Sequence, residues 1–252
     1  MFKEHHLFRA PENPNTEIWR YLDFTKFVSL LDRKALFFIR GDKLSDKFEG
    51  SLPKKSIKKR AQALEILPDK ERAIMLRTMP KVFQQIRENI FINCWSKGVF
   101  ESAAMWNIYL KSDEGVAIQS TYKKLKESFS KCTTHDVLIG EVKYIDYENE
   151  YFPSDNMFYP FLHKRKSFEH EQEIRAIIFI IKGGVFESNE NSEIKKYETG
   201  IYVPIDIDIL IENIFVSPKA EPWFRELVES VIKNYHINKN VRQSSLTDDP
   251  LF

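Results

Sequence analysis

The densest collection of groups able to do chemistry lies in HKRKSFEHEQEIRAIIFII, His163 to Ile181. It opens on a basic cluster, His163, Lys164, Arg165 and Lys166. It passes through Phe168, Glu169, His170, Glu171 and Glu173, and ends in the apolar run Ala176–Ile181. Read as a strand, Glu169, Glu171 and Glu173 share one face. Three carboxylates so placed repel one another, which raises at least one pKa unless Lys164, Lys166 or Arg175 intervenes. A carboxylate in that setting can serve as a base, or can anchor ribose hydroxyls and a developing cation. The same residues can equally form a salt-bridged strand edge.

Two further groups stand out. Arg20, followed by Tyr21, ends a first strand, where a guanidinium can grip a phosphate or carboxylate through two parallel hydrogen bonds or form a surface ion pair. Cys94-Trp95-Ser96 leads into Glu101-Ser102 and Met105-Trp106. Ser96 falls where a strand gives way to a loop. Trp95 and Trp106 offer flat faces to a base or nicotinamide ring, or fill an aromatic core. His163, His170, Glu171 and Asp46 lack the tight spacing of a metal site, and no metal is expected. A nuclease would need Asp46, Glu49, Glu171 and Glu173 to converge on Mg²⁺. Walker A and GxGxxG patterns are absent from a chain with 8 glycines. A net charge of +1 gives no electrostatic case for nonspecific nucleic-acid binding. Cys94 and Cys132 read as reduced thiols of a cytoplasmic protein. The opening MFKEHHLFRAPENP has no apolar signal core, and no run reaches membrane-spanning length.

The elements that must position these groups follow from periodicity. Strands are expected at 17–22, 35–39, 90–96, 115–120, 137–147, 176–181 and 201–204, with another inside 209–216. Helices are expected at 26–34, 100–110, 121–130 and 222–236, and partly over 155–164. Residues 183–200 read as a polar loop. Residues 53–89 form a charged helical insert of two or three helices, broken near Pro68 and Pro80. Its Lys54, Lys55, Lys58, Lys59 and Arg60 face solvent or a polyanion. The Ala176–Ile181 run is expected to be a central strand, buried on both faces. The strands do not alternate regularly with helices, so the chain is expected to be a single α+β domain over 1–252. Its sheet is mixed, mainly antiparallel and split, flanked by helices, with the 53–89 insert.

An ordered series carries a resemblance: Trp19-Arg20-Tyr21, Leu36-Phe37-Phe38, Asp46-Lys47-Phe48-Glu49, Cys94-Trp95-Ser96, Met105-Trp106-Asn107-Ile108-Tyr109, Gly115-Val116-Ala117-Ile118 and Phe168 to Arg175. It resembles a bacterial family, domain of unknown function 2971, related to some abortive phage-resistance proteins. The resemblance runs from Trp19 to the final helix and implies a defence setting without naming an activity. A more distant similarity is to ADP-ribosyltransferase-like folds, split sheets that bind NAD. Arg20 (or Tyr21), Ser96 and Glu173 follow the order of that family's site. Glu171-Gln172-Glu173 looks like the ExE pair of its arginine-type members, while Ser96 is followed by Lys97 rather than by a Ser-Thr-Ser run. The similarity implies NAD as co-substrate, with Arg20 on the pyrophosphate, Ser96 on the ribose and Trp95 or Trp106 against the ring. Glu173 would stabilise the cation left by glycosidic cleavage, and Glu171 would orient an acceptor, protein or nucleic acid. An antitoxin or defence-system partner would accompany such an enzyme. Two other functions compete: a metal-dependent nuclease in the same setting, and a noncatalytic binding or signalling module. In the module the central stretch is a salt-bridged network and the insert makes the contacts.

Overall fold

The computed structural model describes residues 1–180, 199–248 and 250. The 183–200 loop read from the sequence lies almost wholly outside them. Among the described residues nine strands form one sheet, mixed and mainly antiparallel, and helices flank it. β1 (Glu17–Asp23), β2 (Ala35–Arg40), β3 (Ile90–Lys97), β4 (Gly115–Thr121), β5 (Leu138–Glu141), β8 (Glu173–Phe179), β9 (Gly200–Pro204), β10 (Asn213–Val216) and β11 (Asn240–Gln243) belong to it. Only β10 and β11 pair in parallel among them. β6 (Lys143–Ile145) and β7 (His163–Arg165) form a separate two-stranded parallel ladder.

β3 is the hub. One edge pairs with β8 along its whole length, from Ile90↔Phe179 to Ser96↔Glu173. The other edge is divided. β1 pairs with its C-terminal end at Trp19↔Ser96, and β2 with its N-terminal end at Ile39↔Ile92. Between them the sheet forks, and side chains satisfy the backbone that the fork exposes. Arg20 donates to the Cys94 carbonyl, and Asn93 Nδ2 donates to the Phe37 carbonyl at 2.9 Å.

Alternation along these strands gives two faces. Ile18, Leu22, Phe91, Trp95, Ile174, Ala176 and Ile178 enter the main core. Phe27, Leu30 and Leu31 of α1 (Phe24–Arg33), Leu125 of α5 (Tyr122–Ser128) and Phe224 and Val228 of α8 (Pro222–Asn234) cover them. The opposite face carries Trp19 and Tyr21 against α4 (Ala103–Tyr109), then Ile90, Ile92 and Ile177 against Phe161 and Leu162 of α6 (Tyr159–Leu162). Between these two apolar groups the same face carries Ser96, Cys94, Glu173 and Arg175. β8 is buried from Glu173 to Ile178, as its β-branched run predicts.

Three local expectations are corrected. The 137–147 strand divides at Val142, whose N–H donates to the Glu173 carbonyl at 2.9 Å. The chain then leaves the main sheet to pair with β7. Residues 166–171 form a 3₁₀ helix rather than a strand, so Glu169, Glu171 and Glu173 do not share a strand face. The insert folds as α2 (Lys54–Ala63) and α3 (Asp69–Asn89). Pro68 ends the connection between them as expected, but α3 runs on through Pro80. No helix among the described residues is long and apolar enough to cross a membrane.

Candidate functional site

The charged stretch folds into a closed network at the mouth of β8. Gln172 makes the turn. It takes a left-handed conformation (φ 43°), its N–H and its Nε2 both donate to the Glu169 carbonyl, and the chain passes from the 3₁₀ helix into β8. Glu171 and Glu173, on either side of this turn, reach the same cation. Lys164 Nζ, on β7, lies 2.7 Å from Glu173 Oε1, 2.9 Å from Glu171 Oε2 and 3.4 Å from Glu49 Oε1. Arg175 is fully buried. Its Nε donates to Glu173 Oε2, its Nη2 to Glu49 Oε2 and its Nη1 to the Phe161 carbonyl. Ser96 Oγ donates to the Glu171 carbonyl at 2.8 Å, and the Glu173 N–H donates to Tyr144 Oη at 2.8 Å. Arg165 and Asp46 form an adjoining pair at 2.8 Å.

Three acidic side chains thus share two cations, and the two carboxyls of the turn respond in opposite directions. Burial, the hydrogen bond to Glu173 and the Glu173 charge raise Glu171 to about 7. Burial works against the charge on Glu173 as well, but the Arg175 guanidinium, the hydrogen bond from Glu171 and the Lys164 ammonium outweigh it. Its pKa falls well below the usual carboxylate range. Lys164 rises because Glu173 and Glu49 more than offset its desolvation. Tyr109 Oη donates to Glu171 Oε2 at 3.3 Å, and burial pushes its own pKa far up. Burial, and next to it Glu173, likewise pushes up the Cys94 thiol.

The geometry unites some of the residues picked from the sequence and separates others. Glu171, Glu173 and Ser96 come together. Arg20 has the parity of Ile18 and Leu22, on the other face; its guanidinium spans the fork and lies 5.9 Å from the Trp95 ring. Burial lowers its pKa. Trp95 is a main-core residue whose Nε1 donates to Asn93 Oδ1 at 2.8 Å. Trp106 packs edge-on to Tyr21 at 5.0 Å and donates to Glu101. Tyr21 Oη accepts from the Ser102 N–H at 2.7 Å. Glu49, Glu171 and Glu173 converge, but on Lys164 and Arg175, while Asp46 pairs with Arg165; among the described residues no group of three or more acidic, His or Cys side chains could hold a metal ion. His163 stacks on Phe152 at 4.4 Å.

Comparison with protein-family models, with curated proteins and with solved structures finds no match to this chain. Site chemistry therefore rests on the geometry alone.

That geometry includes a feature not singled out in the sequence. A cavity of about 490 Å³ lies under the insert, between α2, α3 and the 41–52 segment. The ionic network holds its wall. Glu49, clamped by Arg175 and Lys164, precedes Gly50 and Ser51, which line the cavity. Gly50 has φ +74°, and a Cβ there would sit 2.7 Å from the Phe161 ring, whose own carbonyl Arg175 holds. Arg60 and Arg87 line it too. Grouping Arg60 with Lys54, Lys55, Lys58 and Lys59 hid this. Those lysines are exposed, whereas Arg60 sits one turn beyond buried Ser56 and turns inward over the Phe83 ring.

Proposed function

We propose that the chain is a noncatalytic binding module. Its charged central stretch is a rigid scaffold, and its insert, with the cavity beneath, is the binding part. The observation that carries this reading is the occupation of Glu173. Both of its carboxylate oxygens are taken by buried cations in a residue 4% exposed. A carboxylate that must meet a developing cation in a substrate needs an oxygen aimed at the place where charge develops. In the defence setting that the resemblance to domain of unknown function 2971 implies, such a module would sense a ligand rather than modify one.

A second reading, ADP-ribosyltransferase-like cleavage of NAD, draws on one observation: a Glu171 carboxyl near 7, tuned for proton transfer around neutrality. Thermal unfolding in millimolar NAD separates the two. The module reading expects no stabilisation that depends on Arg20. A shift present in the wild type and abolished by Arg20→Ala would replace it with the transferase reading, since a ligand at about a hundred times its Kd adds about 2.7 kcal/mol.

A further inference from the structure

The cavity beneath the insert carries a chemical signature. Arg60 Nη1 and Arg87 Nε are both buried, and among the described residues neither has a hydrogen-bond partner. Buried donors are nearly always paired, and an unpaired one costs stability without return in the protein alone. Both side chains line the same space. Of the acids of the wall, Asp42 takes two hydrogen bonds from Arg40, at 2.6 and 3.0 Å, and Glu88 accepts one at 3.2 Å from Gln84, itself in the lining. Ser51 and Gln84 add neutral polar groups, while Ile57 and Phe83 add apolar surface. A volume of about 490 Å³ falls within the range of small-molecule sites. Two guanidinium groups suit an anion with several acceptor oxygens, and Arg is the residue matched to phosphate geometry. The apolar wall needs an organic body on that anion.

We propose that this cavity binds a small organic phosphate, gripped by Arg60 and Arg87 and seated against Phe83 and Ile57. The inference deepens the binding-module reading and rests on it for the role of the insert. The two fail separately, because Arg20 and Glu173 lie outside the cavity lining.

The test is calorimetric titration of the full chain with adenosine 5′-monophosphate, glucose 6-phosphate, inorganic phosphate and adenosine. At least one of the organic phosphates should bind saturably, one per chain, more tightly than inorganic phosphate, and adenosine should not bind. Arg60→Gln and Arg87→Gln should each weaken that binding at least tenfold, while Lys123→Gln leaves it unchanged. Arg87→Met keeps the apolar stem and removes the buried unpaired Nε donor, so the ligand-free protein should melt at the same or a higher temperature while losing the ligand. An NAD-induced shift that survives Arg20→Ala and disappears in Arg87→Gln belongs to this cavity. No saturable binding at millimolar concentrations, binding of inorganic phosphate as tight as that of both organic phosphates, or affinities unchanged in both Gln variants would each overturn the proposal. An Arg87→Met protein that is destabilised yet still binds would overturn it too.

Discussion

Glu171 and Glu173 stand two positions apart and take opposite protonation behaviour from one shared environment. The difference lies in their partners. Glu173 faces both Arg175 and Lys164, whereas Glu171 has Lys164, Tyr109 and its acidic neighbour. The linkage has a definite sign. The Glu171 carboxyl is raised from its ordinary 4.5 to about 7. Its contribution is therefore full below about 4.5 and is lost as pH rises through about 7, because there the folded state holds the extra proton. Glu173 is lowered, so its contribution is present above the ordinary value and is lost as acid protonates it. Glutamine reproduces the protonated form of Glu171 without titrating. Urea midpoints of Glu171→Gln and wild type should coincide at about pH 4 and separate in favour of the variant by about pH 8. Parallel midpoints across that range would mean that Glu171 does not hold the proton.

At the scale of elements, the 41–52 segment links the network to the insert, and Gly50 is where tolerance is least. Its left-handed φ alone costs any other residue about 1–2 kcal/mol. An alanine methyl there must also displace the Phe161 ring. Gly50→Ala should lower the melting temperature and weaken organic-phosphate binding together; a variant that melts and binds like the wild type would show that this wall is not rigid. Apolar runs rich in β-branched and aromatic residues made most strands legible in the sequence, the run that ends β8 among them, because each strand writes its burial into its own residues. The 3₁₀ turn was not legible. Nothing local distinguishes Gln172 as left-handed, so the strand reading ran on through Glu169, which is exposed.

Across the whole molecule, what escaped the sequence is what depends on distant partners. The residue types of the charged stretch announced a network or a site. The choice between them turns on Glu49, which the sequence offered only as a possible metal ligand. It sits on a loop more than a hundred positions away and completes the set around Lys164 and Arg175. Arg20 looked like an anion grip because the division of the β3 edge between β1 and β2 leaves no trace in either strand. Arg60 and Arg87 come from separate helices, and only the fold puts them on one cavity. The network in turn joins the 41–52 segment, α6, β7 and β8, so losing one charge should be felt throughout. Breaking a buried pair by removing one partner typically costs about 3–5 kcal/mol, because the remaining charges stay buried and uncompensated. Guanidinium chloride unfolding of Glu173→Gln beside wild type, near neutral pH, measures this directly. A scaffold predicts a loss of about 3–5 kcal/mol with cooperative unfolding retained. A Glu173→Gln protein as stable as the wild type would contradict it and return Glu173 to the candidates for catalysis.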